Sequence, residues 1–234
     1  MVLEARSYGE GGALVTVLTE AEGACRGLVR GGGSRGQAAL WQPGNLVQAR
    51  WVARLADQLG SLSAELVRTG AAAAMDDPLA LLVLASACAV AERALPEREP
   101  HPGVFAGLVG LIASIGTEAE LVPDLVRWEA GLLAELGYGL DLASCAVTGA
   151  TAGLAFVSPR TGRAVAREAA GVWAGRLLVL PGFLAGSNRS EASDWRDGLR
   201  LTGHFLARDA FGTRHLGVPE ARLMLLDRVV GLAG

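Results

Sequence analysis

Arg26, Arg30 and Arg35 stand on and beside a glycine-rich run, Gly31-Gly-Gly-Ser-Arg35-Gly36. Arginine presents a planar fork of donors that fits a phosphate better than a point charge does. Three such forks around a glycine loop suit a surface that tracks a phosphate backbone without reading bases. The same arginines also suit a solvated hairpin loop, and both readings stay open. Trp41, Trp51 and Tyr8 could stack bases or fill a core. No catalytic set emerges. Gly32-Gly-Ser34-Arg-Gly36 has the spelling Gly-x-Ser-x-Gly but is not read as a nucleophile elbow, His-Glu-x-x-His is absent, and no phosphate-loop Gly-Lys-Ser or Gly-Lys-Thr occurs. Gly31 to Gly36 follows a strand but precedes no clear helix, so it lacks the strand-loop-helix setting of a dinucleotide site. His101, His204 and His215 lack ligand spacing, and no Cys-x-x-Cys pair exists. His204, one residue before an inward Phe205, reads as structural. The sequence therefore points away from an enzyme and requires no cofactor.

The bulk properties narrow the class. The chain has 234 residues and a net charge of −3, and 51% of its residues are hydrophobic. That excludes disorder over most of its length and allows one large domain or two to three small ones. All 21 basic residues are arginine. Cys25, Cys88 and Cys145 are odd in number and far apart, which fits a reducing cytoplasm rather than a disulfide framework. The longest apolar run, Pro78 to Val90, is too short to span a membrane. The N-terminus carries Glu4, Arg6 and Glu10 without an apolar signal core, so export is not expected.

Residues 2 to 70 must position the arginines, and they read as β-rich. Val2–Arg6, Ala13–Thr19, Cys25–Arg30, Asn45–Val52 and Leu59–Val67 are five short strands, which predict a small barrel of OB type. Arg6 and Arg50 lie on two of these strands and join the candidate DNA contacts. Residues 73 to 137 read as three helices, opening at Asp76-Asp77-Pro78, Val104 and Pro123-Asp124. In the last, Trp128, Leu132, Leu133 and Leu136 share a face, and Glu129 and Glu135 fall off it. Gly137 and Gly139 end it, with Tyr138 between them to anchor the turn. Two short strands flank a Ser158–Gly162 turn, and helices over Asp194–Phe211 and Pro219–Leu232 close the chain.

These pieces occur in a known order. Tyr8-Gly-Glu10 and Leu14–Thr19 come first. Arg30-Gly31 and Leu40-Trp-Gln-Pro-Gly-Asn45 follow. Arg127-Trp-Glu then leads to Leu136-Gly-Tyr-Gly-Leu-Asp-Leu142, Cys145 and Phe156-Val-Ser-Pro159 with Gly162. Over nearly its whole length the chain resembles the RecO family of bacterial DNA repair proteins, which are recombination mediators. The resemblance implies an α+β protein. An OB-fold barrel (1–70) precedes a helical region (71–137). A degenerate zinc-finger-like module (138–187) is inserted before C-terminal helices that pack on the helical region (188–234). Many members hold zinc with two Cys-x-x-Cys pairs around the Ser-Pro turn. Here Cys145 stands at the first position, with Thr148, Ala166 and Ala169 at the others. The expectation is no zinc and a module held by packing, with Phe156 and Val165 contributing. Members usually begin several residues before Val2, so the first strand is expected to be short, or the start to lie upstream.

The resemblance also implies binding to single- and double-stranded DNA and annealing of complementary strands. Partners would be RecR and the acidic C-terminal tail of the single-stranded DNA-binding protein, with RecA loaded onto gaps. Arg127, flanking Trp128, is the candidate to receive the tail carboxylate. The location would be cytoplasmic, at the nucleoid. The rival reading is a non-enzymatic protein–protein adaptor that does not touch DNA.

Overall fold

Successive residues of a strand point to opposite faces of its sheet, and in the run Ala13–Thr19, Val15 and Val17 on one face and Thr16 and Leu18 on the other are all buried. In the computed structural model, which describes residues 1–53, 59–117, 120–187 and 190–234, the chain forms two compact units, Met1–Leu121 and Val122–Gly234. The side chain of Arg35 and part of the polar break around residues 187–190 lie outside the described residues.

The first unit opens with β1 Val2–Tyr8, β2 Gly12–Thr19 and β3 Gly23–Val29, each antiparallel to its neighbour. A short helix, α1 Arg35–Leu40, separates them from the antiparallel pair β4 Leu46–Val52 and β5 Gly60–Arg68. The sheet order is β1-β2-β3-β5-β4, and β3 meets β5 in parallel through Gly27 and Leu28. Val2, Ala13, Val15, Val17, Val29, Trp41, Val47 and Leu62 form the buried core. Alternation on β2 puts Val15 and Val17 on the face that this core occupies.

The sequence predicts a small barrel of OB type, and the described residues form a sheet that does not close into a barrel. No ladder joins β4 to β1 among the described residues. Instead the Val2 N–H donates to Asn45 O (2.9 Å) and the Gly44 N–H donates to Val2 O (2.9 Å). Near this contact the β1–β2 register shifts between Val2 and Glu4, and the β4–β5 register shifts between Leu46 and Val47. Asn45, 1% exposed, ties the junction together. Its amide donates to Ala39 O and Leu40 O, and its carbonyl accepts from Gly70 N at the start of α2 Gly70–Ala74. β1 is not short; it is as long as β3 and β4.

Next come α3 Pro78–Ala94 and α4 Pro102–Ala113. Asp77 caps α3, its Oδ1 accepting from Leu79 N (2.8 Å) and Ala80 N (3.2 Å), and Pro78 takes the first helical position. Ala80, Ala87, Cys88 and Ala91 are small and buried, so α3 lies close to β1, with the Cys88 thiol 3.8 Å from Val2 O.

The second unit begins within α5 Leu121–Glu135. Gly137, at φ +85°, lets the chain leave the helix. The Tyr138 N–H then reaches back to Leu133 O (2.7 Å) and the Gly137 N–H to Ala134 O (3.0 Å), a Schellman ending. β6 Leu154–Val157, β7 Ala164–Ala166 and β8 Leu178–Val179 form an antiparallel sheet in the order β7-β6-β8. α6 Arg167–Ala170 and a 3-10 turn, Gly171–Arg176, lie between β7 and β8. α7 Ala192–Phe205 starts from a capping box between Glu191 and Asp194 and runs into a π-helical turn, Leu206–Phe211. α8 Glu220–Ala233 ends the chain.

The zinc-finger-like character expected of residues 138–187 is not found. A small apolar core holds this region: Cys145, Val165, Ala166 and Ala170 are buried, with Phe156, Ala169, Ala174 and Leu177 packed against them. Thr148 supplies a hydroxyl, and alanine at 166 and 169 supplies no ligand atom. The residues at these four positions do not fit zinc, and no group of three His, Cys, Asp or Glu that could hold a metal occurs among the described residues.

Candidate nucleic-acid interface

The strand register sorts the candidate arginines. On β1–β3, Arg6 stands opposite Leu14, and Arg26 opposite Thr16. Their shared face turns away from the core and toward α3, and Thr16 and Leu18 on it are buried. Arg26 reaches Glu92 on α3 at 3.1 Å and Glu97 at 3.2 Å. Arg6 pairs with Glu4 at 2.8 Å and lies 3.8 Å from Glu92. Both cations are already met by carboxylates. In OB folds the β2–β3 face commonly binds oligonucleotides; here much of that face is occupied.

Arg30, directly after β3, is exposed and makes no ion pair among the described residues. The hairpin tip at Gly11 is fastened to the loop beyond it, since the Gly33 N–H donates to Gly11 O (3.2 Å). Tyr8, at the same tip, is 54% exposed. The glycine run leads into α1, which the sequence does not announce; Arg35 is the first residue of that helix. Gly-rich composition hides a helix whose own residues, Gln37-Ala38-Ala39-Leu40, are good formers. Arg50 lies on β4 opposite Ser63 and lines a shallow depression of about 400 Å³ with Gln48 and Glu65. Thus Arg6 and Arg26 are brought together on one face, and Arg30 and Arg50 are not part of that cluster.

Of the possible stackers, Trp41 is 1% exposed and belongs to the core. Trp51 is half-buried. Its Nε1 donates to Arg26 O (3.0 Å), and the Arg98 guanidinium sits 4.1 Å from its ring centre. Arg98, at φ +60°, holds a backbone conformation rare for a side-chain-bearing residue. The two line a cavity of about 400 Å³ with Cys25, Thr19 and Glu22.

In the second unit Arg127 is exposed on α5, pairs with Asp124 at 2.7 Å and lies 5.4 Å from the Phe183 ring centre. Trp128 is only 7% exposed, so it supports α5 from within rather than offering a surface. His204 is held structurally, its Nε2 3.0 Å from Pro159 O. The Arg208 guanidinium donates to the same carbonyl, so helix side chains clamp the Ser158–Gly162 turn. The Cys145 thiol accepts from the Ala166 N–H (3.2 Å). That bond, helped by the Thr148 hydroxyl, holds its pKa down at about 6, against the opposite push of burial.

The main group missed from sequence is buried. Glu129 is off the Trp128 face, as the helical spacing requires, yet it is 0% exposed. Arg222 of α8 meets it with a fork, Nε to Oε1 at 2.6 Å and Nη2 to Oε2 at 3.0 Å. Arg222 also donates to Leu199 O (2.8 Å), and the Thr202 hydroxyl donates to Glu129. α7 and α8 cover the second face of α5, so both faces are interior. No local signal marks this, because the partners lie 73 and 93 residues away.

Comparison with known proteins divides the chain near residue 70, earlier than the boundary between its two compact units. The model for the recombination protein O N terminal domain matches residues 1–69, and that for the recombination protein O C terminal domain matches residues 75–215. The DNA repair protein RecO of Granulibacter bethesdensis is 58% identical over 235 residues, covering 99% of this chain and 94% of its own. That of Acidiphilium cryptum is 58% identical, covering 98% and 93%. That of Gluconacetobacter diazotrophicus is 56% identical, covering 99% and 94%. Two domain models in sequence and relatives matched end to end leave one assignment: the chain belongs to the RecO family.

Proposed function

We propose that this chain is a non-catalytic DNA-binding recombination mediator in DNA repair. It binds and anneals DNA and helps load RecA onto single strands coated by the single-stranded DNA-binding protein. Its partners are RecR and the acidic tail of that coating protein, and it works in the cytoplasm at the nucleoid. The functional division into residues 1–70, 71–137, 138–187 and 188–234 belongs to the same proposal. The observation that carries it is the end-to-end likeness to proteins named for DNA repair, joined to exposed arginines on the sheet unit. No helix of the described residues is long and apolar enough to cross a membrane.

Phosphate contact falls first on Arg30 and Arg50, and Arg35 is included on its place in the sequence alone. Arg6 and Arg26 contribute only if their pairs with Glu4, Glu92 and Glu97 open. Arg127, beside Phe183, receives the tail carboxylate, with Trp128 holding α5 beneath it. The test is fluorescence anisotropy of a labelled single-stranded oligonucleotide over a salt series. The log–log slope changes by about 0.7 for each phosphate contact on a single strand. Arg30→Ala and Arg50→Ala should each flatten it by about that amount. A second reading, an adaptor without direct DNA contact, draws on the neutralised Arg6–Arg26 face. Absence of binding even at low salt would favour it.

A further inference from the structure

The Gly171–Arg176 turn displays apolar and cationic side chains that nothing in the sheet unit explains. Val172 is 93% exposed and Trp173 is 59% exposed. The turn is not loose: Ala170 and Ala174 point the other way into the small core around Cys145 and Val165. In a 3-10 helix residues three apart eclipse, so Arg176 falls beside Trp173, its guanidinium 5.3 Å from the ring centre. Trp173, more than half exposed, therefore offers indole surface to a flat ligand.

The local charge suits a polyanion. Residues 138–187 carry Arg160, Arg163, Arg167 and Arg176 against Asp141 and Glu168, in a chain whose net charge is −3. Asp141 is taken up by Arg163 at 3.1 Å. Glu168 sits in the first turn of α6.

From this juxtaposition we propose that Trp173 and Arg176 form a second contact for single-stranded DNA. One base stacks on the indole and the neighbouring phosphate meets the guanidinium. Stacking of this kind is tolerant of sequence. Paired bases keep their faces inside the duplex, so the contact selects single strands. The proposal rests on the DNA-binding reading above and gives annealing a place to hold strand separate from Arg30 and Arg50.

The test uses the full chain with two labelled probes, an oligothymidylate and an abasic oligonucleotide of the same length. Trp173→Ala should weaken oligothymidylate binding about fivefold or more. It should leave the salt slope and abasic binding unchanged, and Trp173→Phe should restore most of the loss. Arg176→Ala should flatten the slope by about 0.7. Unchanged oligothymidylate binding by Trp173→Ala, while Arg30→Ala still flattens the slope, overturns the stacking site and leaves the sheet reading standing. Trp173-dependent binding of an oligoglutamate probe in place of DNA overturns it in favour of an acidic peptide. Failure of the wild-type chain to bind either oligonucleotide removes both readings together.

Discussion

Glu129 obeys its helical spacing and is buried all the same. Taking a carboxylate fully out of water is expensive unless its partners are fixed. Here Arg222, itself 1% exposed, and Thr202 supply them, and Leu199 O takes another guanidinium proton. The network joins α5, α7 and α8, and each member is useless without the others. Removing one charge strands the other in the interior. Glu129→Ala should therefore cost about 3–5 kcal/mol, read as a fall in the urea midpoint. The paired change Glu129→Leu with Arg222→Met should recover most of it, since a well-packed apolar pair is often no worse than a buried ion pair. A double variant as unstable as Glu129→Ala would mean that the carboxylate does more than satisfy Arg222.

Elements differ in how openly the sequence declares them, and the difference has a physical cause. The start of α3 was readable from Asp76-Asp77-Pro78, and the end of α5 from Gly137, because caps and stops are local chemistry. The β6–β7 hairpin followed from Pro159 and Gly162 for the same reason. α1 was hidden by its glycine lead, and the burial of Glu129 by the distance in sequence to Arg222. The OB-type barrel was overread, because five strands still need a ladder that joins β4 to β1. At the candidate interface, exposure of Arg30 and Arg50 was readable as charge on strands and loops; capture of Arg26 by Glu92 needed the fold. The parallel junction of β3 and β5 gives a test at this scale. A Cβ at Gly60 would fall 2.4 Å from Cε2 of Trp51, and one at Gly27 would fall 2.9 Å from Leu62 Cβ. The glycines let the indole lie flat against the junction. Gly60→Ala should destabilise the chain by about 1–3 kcal/mol in urea unfolding, as overpacking does. Gly36→Ala, where a Cβ meets nothing, should be neutral or slightly stabilising.

Across the whole molecule, positive charge comes from arginine alone, 21 residues without a lysine. Apart from the three histidines, every side chain that can neutralise a phosphate is then a guanidinium, and the environments of these groups differ enough to be read apart. Arg222 is sealed in the interior, Arg26 is braced between two carboxylates, and Arg30, Arg50 and Arg176 are exposed. A dicarbonyl reagent that attacks guanidinium groups should abolish DNA binding, whereas acetylation of amines should leave it intact. Mapped by mass spectrometry, modification should spare Arg222 with or without DNA. An added single-stranded oligonucleotide should shield Arg30 and Arg50, and Arg176 if the indole site is in use. Shielding at Arg26 would show that its pair with Glu92 opens on the nucleic acid, a change visible in no single conformation. A pattern of modification unaltered by DNA at every arginine would count against direct contact and leave the adaptor reading in its place.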